Sequence, residues 1–348
     1  AGATETSGIL LAYDGSQMQE FADVSAPLGP RRIWSMASLD DNKLYMSSGG
    51  KVLSLEDGVI SDEWNFMGNK LVIKDLFADK TTNTIFISGA RGSVSDSGNL
   101  TYQSLLLGKK EGGDWREFNR EIFGKGGLDA PPLSTLDFGG NGKGLAAGLL
   151  RGECERFEYG TIMRFDGAQW YKWTEKSYPV EDVVTQDGDT AWFISSDAAY
   201  RISDSEGVVK EETPYTRGKL FLGLIKGDED GEIYIVGEYG LIFKRSSDGW
   251  EDVSIEPTWH LFDGLVHDGD LWLLGGDFEF VPDRSGEDSI FNRYLHAGRR
   301  ILHMKNNNVL PVDTPEDEYD FIHDALLDSN YIRGPEYEHY FKQSLLAE

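Results

Sequence analysis

The chain repeats itself, and that repetition restricts the folds open to it more than any other feature. A hairpin of alternating apolar residues, a tight turn rich in Asp, Gly or Asn, and an aromatic or aliphatic landing occurs seven times. It reads GILLAYDGSQMQEF from Gly8, KVLSLEDGVISDEW from Lys51, SLLLGKKEGGDWREF from Ser104 and GTIMRFDGAQWYKW from Gly160. It returns as AYRISDSEGVVKE from Ala199, GLIFKRSSDGWEDV from Gly240 and RILHMKNNNVLPV from Arg300. Asp-Gly pairs suit the positive φ of two-residue hairpin turns, and a ring after the turn anchors an outer strand.

A second unit precedes every hairpin except the first. It reads IWSMASLDDNKLYMSSG from Ile33, LVIKDLFADKTTNTIFISG from Leu71 and LSTLDFGGNGKGLAAG from Leu133. Further copies are VEDVVTQDGDTAWFISS from Val180, FLGLIKGDEDGEIYIVG from Phe221 and LFDGLVHDGDLWLLGG from Leu261. The small residues Ala37, Gly139, Gly223 and Gly264 in its first strand suit a crowded position near a ring axis. The second strand is almost wholly apolar, as a strand covered on both faces should be. A last copy, YDFIHDALLDSNYIRG from Tyr319, has no hairpin after it.

Two units of two strands make a four-stranded blade, so the expected fold is an all-β propeller of seven blades in one domain, residues 1–348. The lone first hairpin (8–21) and the lone last unit (319–334) are expected to pair as blade seven, leaving 335–348 as a tail. Closure of that kind removes the exposed sheet edges of an open array.

The hairpin turns resemble degenerate Asp-box repeats, of full form Ser/Thr-x-Asp-x-Gly-x-Thr-Trp; the nearest copies are RSSDGWEDV from Arg245 and RFDGAQWYKW from Arg164. The chain is in this respect similar to the Asp-box propellers that include sialidases and photosystem-assembly-type propellers. The resemblance implies a fold, and it implies that Asp14, Asp57, Asp166 and Asp248 shape turns on the outer rim. A sialidase would need an arginine triad, a Tyr–Glu nucleophile pair and an Asp acid/base on six blades. Glu238 and Tyr239 are adjacent here, and GPRRIW from Gly29 lacks the proline of the expected Arg-Ile-Pro start.

Charge narrows the partners. Asp and Glu number 60 against 33 Lys and Arg, a net −27, which repels phosphate backbones and anionic membranes and so argues against nucleic acid. No apolar run approaches the roughly 18 residues of a membrane span, so no membrane insertion is expected. Cys154 is the only cysteine, so no internal disulfide can form. The acidity fits an extracellular, periplasmic or virion setting better than the cytoplasm. The start at Ala1 instead of Met reads as a trimmed end.

In a propeller the connections from second to third strand, and from one blade to the next, open on one face. Three of the former are enlarged here, Arg91–Leu100, Arg151–Tyr159 and Asp277–Arg299, as is the blade connection Asn119–Pro132. Long loops gathered on one side of a rigid scaffold carry binding roles. Second strands end in Arg-Gly at Arg91, Arg151 and Arg333, whose planar forks could clamp a carboxylate, phosphate or sulfate. Glu238, Asp277, Glu279 and Arg293 complete the candidate binding set; Asp277 and Glu279 are carboxylates of the type a glycosidase pairs about 5–10 Å apart. The other face presents acidic turns, including Asp40, Asp41, Asp187, Asp189, Asp228, Asp230, Asp268, Asp270 and Asp328. The six histidines show no metal spacing, and phosphate-loop, dinucleotide and nucleophile-elbow motifs are missing, so no catalytic residue, metal or cofactor is expected. The expected role is a non-catalytic binding or scaffold component of a larger extracellular or virion assembly, with a protein partner on the insertion-rich face. The alternative is a glycan-binding or glycan-hydrolysing propeller using central arginines and carboxylates.

Overall fold

Alternating apolar segments separated by turn residues give strands almost throughout. The computed structural model describes residues 2–3, 8–13, 18–23, 35–40, 43–48, 50–65, 70–94, 100–118, 133–151, 158–176, 180–195, 198–216, 218–227, 232–255, 259–267, 269–281, 293–305 and 308–312. The N-terminal strands are β1 (Gly2–Ala3), β2 (Gly8–Tyr13) and β3 (Met18–Asp23). Blade 1 holds β4 (Ser35–Ser38), β5 (Lys43–Ser48), β6 (Lys51–Glu56) and β7 (Val59–Asn65); blade 2 holds β8 (Lys70–Asp79), β9 (Thr84–Val94), β10 (Leu100–Lys110) and β11 (Arg116–Glu117). Blade 3 holds β12 (Thr135–Phe138), β13 (Gly144–Arg151), β14 (Glu158–Phe165) and β15 (Trp170–Lys176). Blade 4 holds β16 (Asp182–Thr185), β17 (Thr190–Ser195), β18 (Ala198–Ser203) and β19 (Gly207–Lys210). Blade 5 holds β20 (Phe221–Lys226), β21 (Ile233–Gly237), β22 (Ile242–Ser246) and β23 (Gly249–Asp252). Blade 6 holds β24 (His260–His267), β25 (Asp270–Val281), β26 (Arg293–Lys305) and β27 (Asn308–Val312).

Every blade is an antiparallel four-stranded sheet in chain order, built from one second-type unit and the hairpin after it. The sequence repeat and the structural repeat therefore coincide. The blade count does not. Among the described residues the propeller has six four-stranded blades, not seven, and the first hairpin lies in a separate three-stranded sheet ordered β1-β2-β3. The reason is local: β1 takes the edge of β2, pairing Gly2 with Ile9 and Ala3 with Gly8. That edge is the one the final unit was expected to fill. The final unit, 319–334, and the tail lie outside the described residues.

The core is a series of layers between blades. One layer joins Phe86 and Leu106 of blade 2 to Leu136, Phe138, Ala146, Met163, Phe165 and Trp170 of blade 3. Within it the Phe86 ring stacks on Phe138 with centroids 4.5 Å apart. Equivalent layers join blades 3 and 4 through Leu145, Ile162, Val183 and Phe193, and blades 5 and 6 through Val236, Ile242, Leu261 and Leu273. Each such side chain contributes about 1.5–3 kcal/mol on burial, so the packing, not the turns, holds neighbouring blades together.

The inner strands approach one another too closely for side chains at some positions. A Cβ on Gly223 would lie 2.2 Å from the Phe262 carbonyl oxygen, and one on Gly264 would lie 2.3 Å from that of Trp272. Turn chemistry matches the sequence. Asp57 and Gly58 both hold positive φ, 51° and 75°, as a mirror-image hairpin turn demands. The Asp166 carboxylate accepts the Ala168 and Gln169 N–H groups, both at 2.9 Å, which holds its pKa below the usual range. Asp14 lies outside the described residues.

Candidate functional site

An innermost strand has one edge without a sheet neighbour, and its N–H groups need acceptors. The sequence supplies them from one repeat position, occupied in blades 1 to 6 by Ser35, Asp75, Thr135, Asp182, Gly223 and Asp263. Asp75 accepts the Ser35 hydroxyl of blade 1 at 2.8 Å and the Leu136 N–H of blade 3 at 2.7 Å. Two blades on, Asp182 accepts the Thr135 hydroxyl at 2.8 Å and the Leu224 N–H of blade 5 at 2.8 Å. Each carboxylate thus ties three consecutive blades at the axis. Asp263 would be next in this alternation, but Gly223 offers no hydroxyl. Its hydrogen bond among the described residues is to the neighbouring Gly264 N–H, at 2.7 Å.

Burial is the main cause that raises all three pKa values: Asp75 to about 6, Asp182 to about 7 and Asp263 to about 6. Asp263 repels both of the others, raising theirs further. Asp263 is nevertheless exposed, and Asp75 and Asp182 are partly so. Both facts fit carboxylates that face a narrow axial opening, reached by water yet surrounded by protein. Water damps the electrostatics of Asp263 most.

Further along the inner strands a cation closes the ring's interior. Lys226 of blade 5 reaches across blade 4 to Asp137 of blade 3, donating to Oδ1 at 2.8 Å and to the Phe138 carbonyl oxygen at 2.7 Å. Asp137 also accepts the Thr185 N–H of blade 4 at 2.6 Å. Burial still raises the Asp137 pKa, against the opposing pull of Lys226.

At the other end of these strands, a 3-10 turn, Glu238–Gly240, connects β21 to β22. It is laced to the blade connections on both sides. Glu238 donates its N–H to the Leu220 carbonyl oxygen at 3.0 Å and accepts the Leu220 N–H on Oε2 at 3.0 Å. Gly240 donates to the Trp259 carbonyl oxygen at 2.5 Å and accepts the Ile255 N–H at 3.0 Å. Between them Tyr239 is held left-handed, φ 54° and ψ 46°. The residue remains 46% exposed, its ring tilted against the His260 ring at 4.6 Å. The Lys219 ammonium group donates to the Tyr239 carbonyl oxygen at 2.9 Å.

The residues singled out in the sequence fall as follows. Arg91 sits in β9, opposite Leu71 and Gln103. Arg151 ends β13, opposite Glu158. These two occupy corresponding strands of adjacent blades. Asp277 and Glu279 lie in β25 and Arg293 begins β26, where Val281 pairs with Arg293 and Asp277 with Gly298. Blade 6 is not adjacent to blades 2 and 3 in chain order. Arg333 lies outside the described residues. Glu238 is buried and serves as the latch to Leu220.

The ladders run into the flanks of the three enlarged connections, β9–β10 to Val94 and Leu100, β13–β14 to Arg151 and Glu158, and β25–β26 to Val281 and Arg293; residues 95–99, 152–157 and 282–292 between them lie outside the described residues. The described acidic turn residues of the opposite face are satisfied internally. Asp187 accepts the N–H groups of Asp189 and Thr190, both at 2.8 Å. Asp189 pairs with Lys143 at 2.6 Å and with Arg164, and Asp270 pairs with His303 and Lys305, both at 2.9 Å. Asp41, Asp228, Asp230, Asp268 and Asp328 lie outside the described residues.

The sequence reading missed the axial carboxylates. Their signal was the third position of the second-type unit, where Ser, Thr or Asp recurs in blades 1, 3, 4 and 6. In blade 2 the same role falls two residues later, past a register shift between Ile73 and Asp75. Among the described residues, no cluster of three or more metal-ligating side chains occurs, and no helix is long and apolar enough to cross a membrane.

No protein-family model matches the chain, and no curated protein matches it. Among solved structures it is similar to YCF48 bound to D1 peptide, with a TM-score of 0.53 and 12% identity over 78% of this chain and 86% of that one. It is also similar to the extracellular domain of the hybrid two-component system BT4673 from B. thetaiotaomicron, with a TM-score of 0.50 and 11% identity. That match covers 89% of this chain and 46% of the other. At such identities the likeness shows the fold alone: this chain is a β-propeller.

Proposed function

We propose that the chain is a non-catalytic binding propeller that receives a polypeptide partner on the face carrying the extended hairpins, as a component of a larger extracellular or virion assembly. The observation that carries this reading is the one-sided lengthening of β9–β10, β13–β14 and β25–β26, which project backbone ladders beyond the blade bodies on a single face. Where those ladders outrun their neighbours they leave unpaired edges, the feature that accepts an added strand from a partner. The structural neighbour that holds a peptide supports the same reading. Arg91, Arg151, Glu279 and Arg293 would supply polar specificity around that contact.

Replacing 282–292 by an Asn-Gly turn shortens the blade 6 hairpin while keeping the Val281–Arg293 pair. The intact chain, immobilised and exposed to extract of its source cells, is expected to retain a partner that the shortened chain does not, with both melting alike. Equal retention by both would remove this reading.

A further inference from the structure

The Tyr239 turn has features that the packing of the blade does not require. A left-handed backbone at a bulky residue is costly and persists only where surroundings enforce it. Glycine would hold the same conformation without strain. The lacing to Leu220, Ile255 and Trp259 runs entirely through Glu238 and Gly240, so the ring is dispensable to it. The ring stands partly in solvent, with Leu220 (37% exposed) on the adjoining connection and Tyr215 (83%) further along it. These residues make an apolar lip on the face with the extended hairpins.

The lip adjoins negative charge. The Tyr239 ring leans on His260, and Asp263 lies three residues along the same strand, past a register shift between Leu261 and Asp263, about 7–10 Å away at strand rise. That is the span of two to three residues in an extended peptide. Asp263 is exposed, and its carboxylate bonds only the Gly264 N–H among the described residues; Asp75 and Asp182 lie within electrostatic reach of it. Lys219, the nearby cation, is engaged by the Tyr239 carbonyl oxygen.

We propose, resting on the polypeptide-binding reading above, that Tyr239, Leu220 and Asp263 receive an extended basic segment of another protein. An apolar side chain of that segment packs on the Tyr239–Leu220 lip, and a lysine or arginine about three residues away meets Asp263 at the axis. Charge selects the occupant. The chain carries −27 overall, and residues 313–348 hold ten Asp and Glu against two Lys and Arg, so its own C-terminal segment is repelled where a basic partner is drawn in.

The test pans a displayed library of random 12-residue peptides against the full chain and measures enriched peptides by fluorescence anisotropy. The expected consensus is an apolar residue spaced two to four positions from Lys or Arg. Tyr239→Gly is expected to melt no lower than the parent and to weaken binding at least tenfold. Asp263→Asn should weaken it similarly, and Asp248→Asn on the opposite face should change it less than twofold. An acidic consensus, binding that survives Tyr239→Gly within twofold, competition by a synthetic 313–348 peptide, or no enrichment would each overturn the inference. Peptides that survive Tyr239→Gly but fail on the chain with the shortened blade 6 hairpin would overturn it while leaving the proposed function standing.

Discussion

Replacing Asp182 by asparagine should stabilise the protein at alkaline pH and leave it nearly unchanged in acid. The folded pKa of Asp182 is about 7, against about 3.9 in an unfolded chain. Below pH ~4 both states are protonated and the group costs nothing. Between pH ~4 and ~7 the unfolded chain ionises while the folded one keeps its proton, so stability falls as pH rises. Above the folded value the cost is constant. Three units at 1.36 kcal/mol each give about 4 kcal/mol as an upper bound. Asp182 is partly open to the axis, and solvent screening brings a realistic figure to about 2 kcal/mol. The amide keeps the two bonds to neighbouring blades, its oxygen accepting the Leu224 N–H and its NH2 donating to a reversed Thr135 hydroxyl, and gives up the Val183 N–H, which now bonds the same oxygen as Thr135. Thermal melts at pH 4 and pH 8 read the result. The Asn variant should gain roughly 4 °C over the parent at pH 8 and about nothing at pH 4. An equal loss at both pH values would show that the ionised carboxylate is a needed latch, and would refute the reasoning.

Lys226→Met should cost about 3 kcal/mol in urea unfolding, because it leaves the Asp137 carboxylate buried without its cation; adding Asp137→Asn should recover at least half of that loss. Gly223→Ala should lower stability by about 2–3 kcal/mol, since its Cβ meets the Phe262 carbonyl oxygen at 2.2 Å; an unchanged melting temperature would mean the inner strands are less tightly packed than described. Phe86→Ala empties the centre of an aromatic layer formed with Phe138, Phe165 and Trp170, and should cost about 3–5 kcal/mol. Each value is read from chemical denaturation with the parent as reference.

The blades were legible because their code is local. Period-two apolar patterns and Asp-Gly turns such as Asp57-Gly58 depend on neighbours in sequence, and the close-approach glycines at 223 and 264 announced the crowded axis. The blade count was not legible in this way, because two residues, Gly2 and Ala3, occupy the edge of β2 and carry no pattern of their own. The flanks of the enlarged connections proved to be strand where the sequence suggested loop: their polar and glycine content hid backbone pairing that carries the ladders to Val94–Leu100 and Val281–Arg293. The axial carboxylates went unread for another reason. Asp75 and Asp182 each look like an ordinary turn or edge acid, and their meaning lies in bonds to blades about 40–60 residues away in sequence, on the scale of one propeller repeat. Glu238 was chosen for its type and proved to be the latch that presents its neighbour Tyr239.

The partner is expected to engage the face of the extended hairpins and the Tyr239 turn. Amide hydrogen exchange on the full chain, with and without its captured partner, tests it most directly. Protection is expected to rise at 91–94, 238–240 and 277–281, with the turns at 186–189 and 247–248 unchanged. Protection confined to those opposite turns would contradict the account.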